Sequence, residues 1–74
     1  MKNNLRVERA KLRMTQQDLA DRVHVSRQTI VAIEQGKFNP STVLALRMSA
    51  IFNTPVNDIF ELEEGDWKER NVYT

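Results

Sequence analysis

Arg27, Gln28 and Thr29 stand in a row directly behind Ser26, with Ala32 about one helical turn beyond Gln28. Side chains of these types suit the edges of base pairs. A guanidinium matches the O6/N7 edge of guanine, the Gln amide matches adenine, and Thr or Ala fits against a thymine methyl. To read anything, the row must face outward from a helix whose inner side is held firmly. Ile30 and Ile33 supply that inner side, Ser26 is a natural N-cap and Gly36 a natural stop, so a short helix is expected to end at Gln35-Gly36.

A helix this short needs a partner packed at a steep angle. Thr15 followed by Asp18 is a variant of the capping box, and it opens a preceding helix with Leu19, Ala20 and Val23 on one face. Ala20 must be small because the two axes cross closely there, and Leu19, Val23, Val25, Ile30 and Ile33 fill the angle between them. Residues Gln16 to Gln35 thus read as two short helices joined by a tight turn. Their packing would leave Arg27, Gln28, Thr29 and Ala32 at the end that can enter a major groove.

The remaining elements follow from the same signals. Leu5 and Leu12 lie two turns apart, predicting a first helix from about Asn4 to Arg13, capped by Asn3 or Asn4, with Arg6, Glu8, Lys11 and Arg13 around the stripe. Asn39-Pro40-Ser41 breaks the chain and caps a fourth helix running to about Phe52, with Leu44, Met48, Ile51 and Phe52 toward the core. Asn53 is a candidate left-handed residue, and Thr54-Pro55 opens a fifth helix through Phe60. Val43, Leu46 and Ala50 form a second apolar stripe on the fourth helix, either a contact surface or a face half-covered by the tail.

After Phe60 the period changes. Phe60-Glu61-Leu62-Glu63 alternates as a half-buried strand does, Glu64-Gly65-Asp66 signals a turn, and Trp67-Lys68-Glu69-Arg70 either returns as a second strand or folds back loosely. A two-stranded hairpin is marginal alone, and pairing with the same segment of a second subunit would support it. The chain therefore divides into residues 1–60, a helix-turn-helix unit of five helices, and residues 61–74, a C-terminal extension expected to be the dimerisation strand. The fold class is all-α with a short C-terminal β-strand or hairpin. Val43, Leu46, Phe60, Leu62 and Trp67 are the expected dimer contacts.

Charge and composition narrow the partners. The net charge of +1 conceals an asymmetry: residues 1–47 carry nine Lys/Arg against four acids, and residues 48–74 carry two against six. Such a split suits a basic body facing a polyanion and an acidic tail that points away, meets another protein or simply aids solubility. With 74 residues there is one small core and no room for a buried substrate cavity of ordinary size. Cysteine is absent and His24 is the single histidine, so neither disulfides nor a metal can brace the domain, and self-association is favoured. No signal-like or membrane-length apolar run is seen, and a cytoplasmic location is expected. There is no glycine-rich phosphate loop, no nucleophile with a base at a sensible spacing, and no paired carboxylates outside the acidic tail, so an enzyme is not expected.

With these motifs in view, the chain resembles the phage Cro/repressor-type helix-turn-helix family, also called the xenobiotic-response-element (XRE) type. The likeness covers Leu5 to about Phe60. It rests on Met14-Thr15-Gln16-Gln17-Asp18-Leu19-Ala20, Val25-Ser26-Arg27-Gln28-Thr29-Ile30, Ile33-Glu34-Gln35-Gly36-Lys37 and Asn39-Pro40-Ser41. The resemblance implies a transcriptional regulator that binds a double-stranded DNA operator as a homodimer, with no small-molecule cofactor and no membrane. It further implies that Arg27, Gln28, Thr29 and Ala32 read bases, that Gln16, Gln17, Lys37 and Asn39 hold phosphate, that Gln16 braces Gln28, and that Arg9 and Glu34 form an ion pair. One departure is His24, at a turn position where this family often has Gly. The competing reading is an antitoxin-like or other protein-interaction module of the same fold.

Overall fold

Four successive helices end in the same way, and this repeated stop fixes the course of the chain. In the computed structural model, which describes residues 1–68, α1 spans Leu5–Lys11, α2 Gln16–Val23, α3 Arg27–Glu34 and α4 Thr42–Phe52. A residue in the left-handed region follows each: Arg13 (φ 55°), His24 (φ 63°), Gly36 (φ 75°) and Asn53 (φ 51°). At every one of these ends the next N–H reaches back to the last turn: Met14 to Arg9 (2.9 Å), Val25 to Ala20 (3.0 Å), Lys37 to Ala32 (2.9 Å) and Thr54 to Ser49 (3.1 Å). This is the Schellman closure, which satisfies carbonyls the helix leaves open and turns the chain sharply. His24 does take the left-handed backbone its turn requires.

The starts are equally explicit. Thr15 and Asp18 form a reciprocal capping box: the Thr15 hydroxyl accepts from the Asp18 N–H (3.0 Å) and the Asp18 carboxylate from the Thr15 N–H (2.9 Å). Ser26 accepts from the Thr29 N–H at 3.2 Å, and Ser41 from the Leu44 N–H at 3.1 Å. At α1, Asn3 and not Asn4 uses its side chain, accepting from the Leu5 N–H at 3.2 Å.

One core joins all the helices as far as the short α5 (Val56–Ile59). Leu5, Leu19, Ala20, Val23, Ile30 and Met48 are completely buried, and Ile33 and Ile59 nearly so. The absence of any exposure at Ala20 is what a close α2–α3 crossing demands of a small side chain. Leu44, Phe52 and Phe60 complete the floor, with Ile51 half-buried against it.

Several details differ from the sequence reading. Leu12 is 48% exposed and Met14 takes the core position, because α1 ends at Lys11 and the left-handed Arg13 redirects the chain. Glu8 is buried, held by Lys11 Nζ (3.0 Å) and the Thr54 hydroxyl (3.1 Å). Thr54 does not cap α5, because the N-cap position falls to an extended Pro55, which has no side-chain acceptor; the Thr54 hydroxyl donates to Glu8 instead.

The fold is mostly helical with one short antiparallel pair of strands, but the partner strand comes from the N-terminal end of the same chain. Strand β2 (Phe60–Glu61) pairs with β1 (Lys2–Asn3), Lys2 opposite Glu61 and Asn3 opposite Phe60. Residues Glu64–Trp67 form a helical turn, α6, and not the start of a returning strand. The reason is visible at Asp66, whose carboxylate accepts from the Glu63 N–H at 2.7 Å while its own N–H bonds to the Glu63 carbonyl at 3.0 Å, closing a helical turn. The expectations placed on residues 69–74 lie outside the described residues.

Candidate nucleic-acid interface

The inner face of α3 is sealed by Ile30 and Ile33, at 0% and 1% exposure, so the opposite edge is forced outward. On that edge Arg27 and Gln28 are exposed, and Thr29 and Ala32 are half-buried. Gln28, Thr29 and Ala32 line one shallow surface, and Arg27 stands at the first position of the same helix. Thr29 serves a double purpose: its N–H completes the Ser26 cap and its hydroxyl lies 3.1 Å from that of Ser26.

Behind this edge lies a polar relay that pins α3 to α1 and α2. Arg9 grips Glu34 with two donors, Nε to Oε2 at 2.7 Å and Nη2 to Oε1 at 3.1 Å, and sends Nη1 to the Met14 carbonyl at 3.0 Å. Both side chains are sheltered, at 14% and 3% exposure, so the pair acts away from the screening that weakens surface ion pairs. Gln16 donates to Glu34 Oε1 at 3.2 Å and accepts from Arg27 Nη2 at 3.2 Å. The brace expected between Gln16 and Gln28 is thus made to Arg27 instead, because Glu34 orients the Gln16 amide so that its oxygen meets the guanidinium.

The other phosphate candidates sit at two places. Gln17 is exposed at the N-terminal end of α2, its amide donating to Asp21 at 2.8 Å. Lys37 and Asn39 are exposed in the loop after α3, which follows the left-handed Gly36. The N-terminal turns of α2 and α3 contribute partial positive charge of their own.

Of the expected partner contacts, Val43, Leu46, Leu62 and Trp67 are exposed, at 57%, 58%, 56% and 76%. Phe60 is not among them. Its side chain is only 7% exposed because pairing of β2 with β1 directs it into the core.

Two residues escaped the sequence reading. Arg47 donates to the Val23 carbonyl at 3.2 Å, closing the end of α2 from α4. Phe38 is 52% exposed between Lys37 and Asn39, beside Gln28, Thr29 and Ala32. A bulky aromatic in an otherwise polar loop bounded by Gly36 and Pro40 was the available signal.

No helix among the described residues is long and apolar enough to cross a membrane. Comparison with known proteins places residues 5–59 on the family model described as helix-turn-helix. The chain is 45% identical over 71 residues to an uncharacterized HTH-type transcriptional regulator of Archaeoglobus fulgidus, an alignment covering 95% of this chain and all of the relative. It is 47% identical to one from Methanocaldococcus jannaschii (89% of this chain, 100% of the relative) and 42% identical to one from Bacillus subtilis (86% and 97%).

Proposed function

The chain belongs to the Cro/repressor-type, or XRE-type, helix-turn-helix family of DNA-binding transcriptional regulators, and on that premise we propose that it works as a dimeric repressor reading an inverted-repeat operator. The observation that carries the reading is the division of α3. Ile30 and Ile33 are shut inside, while Arg27, Gln28, Thr29 and Ala32 line the outer edge.

In this reading α3 enters the major groove. Arg27 and Gln28 hydrogen-bond to base edges, and the methyl groups of Thr29 and Ala32 meet apolar parts of neighbouring bases. Gln16 and Gln17 at the start of α2, with Lys37 and Asn39 after α3, hold backbone phosphate and so fix register without reading sequence. The relay Arg9–Glu34–Gln16 holds the Arg27 guanidinium before DNA arrives, which lowers the ordering cost of binding.

The exposed residues Val43, Leu46, Leu62 and Trp67 supply the dimer contact, with Phe60 supporting it from within the core. Two subunits would present their α3 helices about 34–36 Å apart on one face of the duplex. The protein acts by occupying its site and not by catalysis, and a bound dimer represses by blocking polymerase. The cytoplasm, where its DNA target lies, is its place of action.

Selection of bound duplexes from a random pool tests this reading. The expected product is an enriched inverted repeat with half-sites one helical turn apart. Recovery of duplexes with no common sequence would overturn it.

A further inference from the structure

An exposed aromatic ring on a DNA-facing edge calls for an explanation, since Phe38 gains little from standing half in water. It does not stand alone. With Gln28, Thr29, Ala32 and Lys37 it lines a shallow cleft of about 350 Å³ against the outer edge of α3. The floor of that cleft is apolar. The Thr29 hydroxyl is turned to Ser26, 3.1 Å away, which leaves its methyl group to the cleft beside the Ala32 methyl and the Phe38 ring. Gln28 and Lys37 bring the polar groups of the lining, an amide and an ammonium.

We propose that this cleft is the seat of a thymine 5-methyl group and that Phe38 is a specificity-determining residue. The proposal rests on the reading of α3 as the base-reading helix and adds a partner to it. An apolar notch lined also by an amide and an ammonium fits the major-groove edge of a thymine, whose methyl is its one apolar projection and lies beside hydrogen-bonding groups and near the phosphate backbone. The loop is built to hold the ring there. Gly36 at φ 75° turns the chain back along α3, and the Lys37 N–H bond to the Ala32 carbonyl at 2.9 Å fixes the residue before Phe38. Phe38 therefore reads sequence from a loop in which Lys37 and Asn39, its two neighbours, contact only the backbone.

The test uses the full-length protein and its selected operator, with each thymine replaced singly by deoxyuridine, which lacks only the methyl group. Binding is measured by fluorescence anisotropy for the unaltered protein, Phe38→Ala and Phe38→Leu. At one thymine position in each half-site, the replacement should weaken binding of the unaltered protein about fourfold, the factor expected for one methyl group left in water. Phe38→Ala should bind the normal operator more weakly and be indifferent to that replacement, and Phe38→Leu should retain part of the discrimination. Circular dichroism confirms that both variants fold, as the exposed position of Phe38 leads one to expect.

An equal loss for the unaltered protein and Phe38→Ala at every thymine overturns the proposal, as does an operator with no methyl-sensitive thymine. If Gln28→Ala still relaxes base choice in that case, only the role of Phe38 fails. If no variant alters base choice, the reading of α3 itself fails with it.

Discussion

Arg9 Nε lies 2.7 Å from Glu34 Oε2, so a residue of α1 holds the last residue of α3. Glu34 is the hub: through Oε1 it also accepts from Gln16, and Gln16 in turn accepts from Arg27. Loss of Arg9 would leave a carboxylate of 3% exposure without its charge partner. Arg9→Ala is therefore expected to cost about 3 kcal/mol of stability in urea unfolding, in the range for breaking a sheltered ion pair. Arg9→Lys should recover little, because an ammonium cannot make the paired fork. A cost below about 0.5 kcal/mol would mean that the pair behaves as an ordinary surface contact.

The helix ends offer the opposite kind of change. Arg13 carries a side chain at φ 55°, where a Cβ is crowded by the following carbonyl, and it is exposed with room for replacement. Arg13→Gly should raise stability by up to about 1 kcal/mol, the relief of left-handed strain being partly offset by the greater freedom of glycine in the unfolded chain. His24→Gly should behave alike, at φ 63°. Gly36→Ala should do the reverse, its added Cβ being strained at φ 75° although nothing approaches it closely. Chemical denaturation of the three variants checks the signs, and destabilisation by Arg13→Gly would contradict the account.

Why the helices were legible and the ends were not follows from these particulars. Capping at Thr15, Ser26 and Ser41 is local chemistry, and the apolar spacing of Leu19, Val23, Ile30 and Ile33 reports a buried face wherever it occurs. The left-handed stop at Arg13 has no such signature, since any residue can be forced there by the packing around it, and with it went the exchange of Leu12 for Met14 in the core. The pairing of Lys2–Asn3 with Phe60–Glu61 joins the two ends of the domain, and alternation in one strand cannot name its partner. In the candidate site, residue types suggested Arg27, Gln28 and Thr29, whereas the link from Gln16 to Arg27 depends on an orientation set by Glu34, which only the folded geometry supplies.

Acid should loosen the start of α2. The backbone N–H of Thr15 holds the Asp18 carboxyl below its ordinary range, with help from the Thr15 hydroxyl and the nearby charge of Arg22. A lowered carboxylate value means that this contribution is fully present above the unfolded-state value, near 4, and disappears as pH falls through the lower folded-state value. The stability difference between the unaltered protein and Asp18→Ala should thus be constant from neutrality to about pH 5 and shrink below about pH 4. A difference that is the same at pH 7 and pH 3 would remove the capping carboxylate as its cause.

Base readers and phosphate holders should separate by salt dependence. Gln28→Ala is expected to cost about 1–3 kcal/mol on the best operator and much less on a random duplex, with an unchanged salt slope. Lys37→Ala should weaken both duplexes alike and reduce the slope of log K against log salt by about 1, as one fewer phosphate is neutralised. Titrations at several salt concentrations would distinguish them. Equal losses on both duplexes for Gln28→Ala would move it from the reading set to the positioning set.

Leu46 tests the dimer. It lies on α4 opposite the core residues Leu44 and Met48 and is 58% exposed, so Leu46→Glu should leave the fold intact and place a charge on the surface assigned to the partner. Desolvating an unpaired carboxylate in an interface is costly, and the dimer should weaken at least about tenfold by sedimentation. Binding to the full inverted repeat should fall with it, because the second half-site would no longer be engaged at high effective concentration. Binding to an isolated half-site should not change, since α3 and its relay are untouched. If sedimentation finds the unaltered protein monomeric at concentrations that fill the operator, the dimer reading fails; if Leu46→Glu dimerises as before, the partner surface must lie elsewhere than on this face of α4.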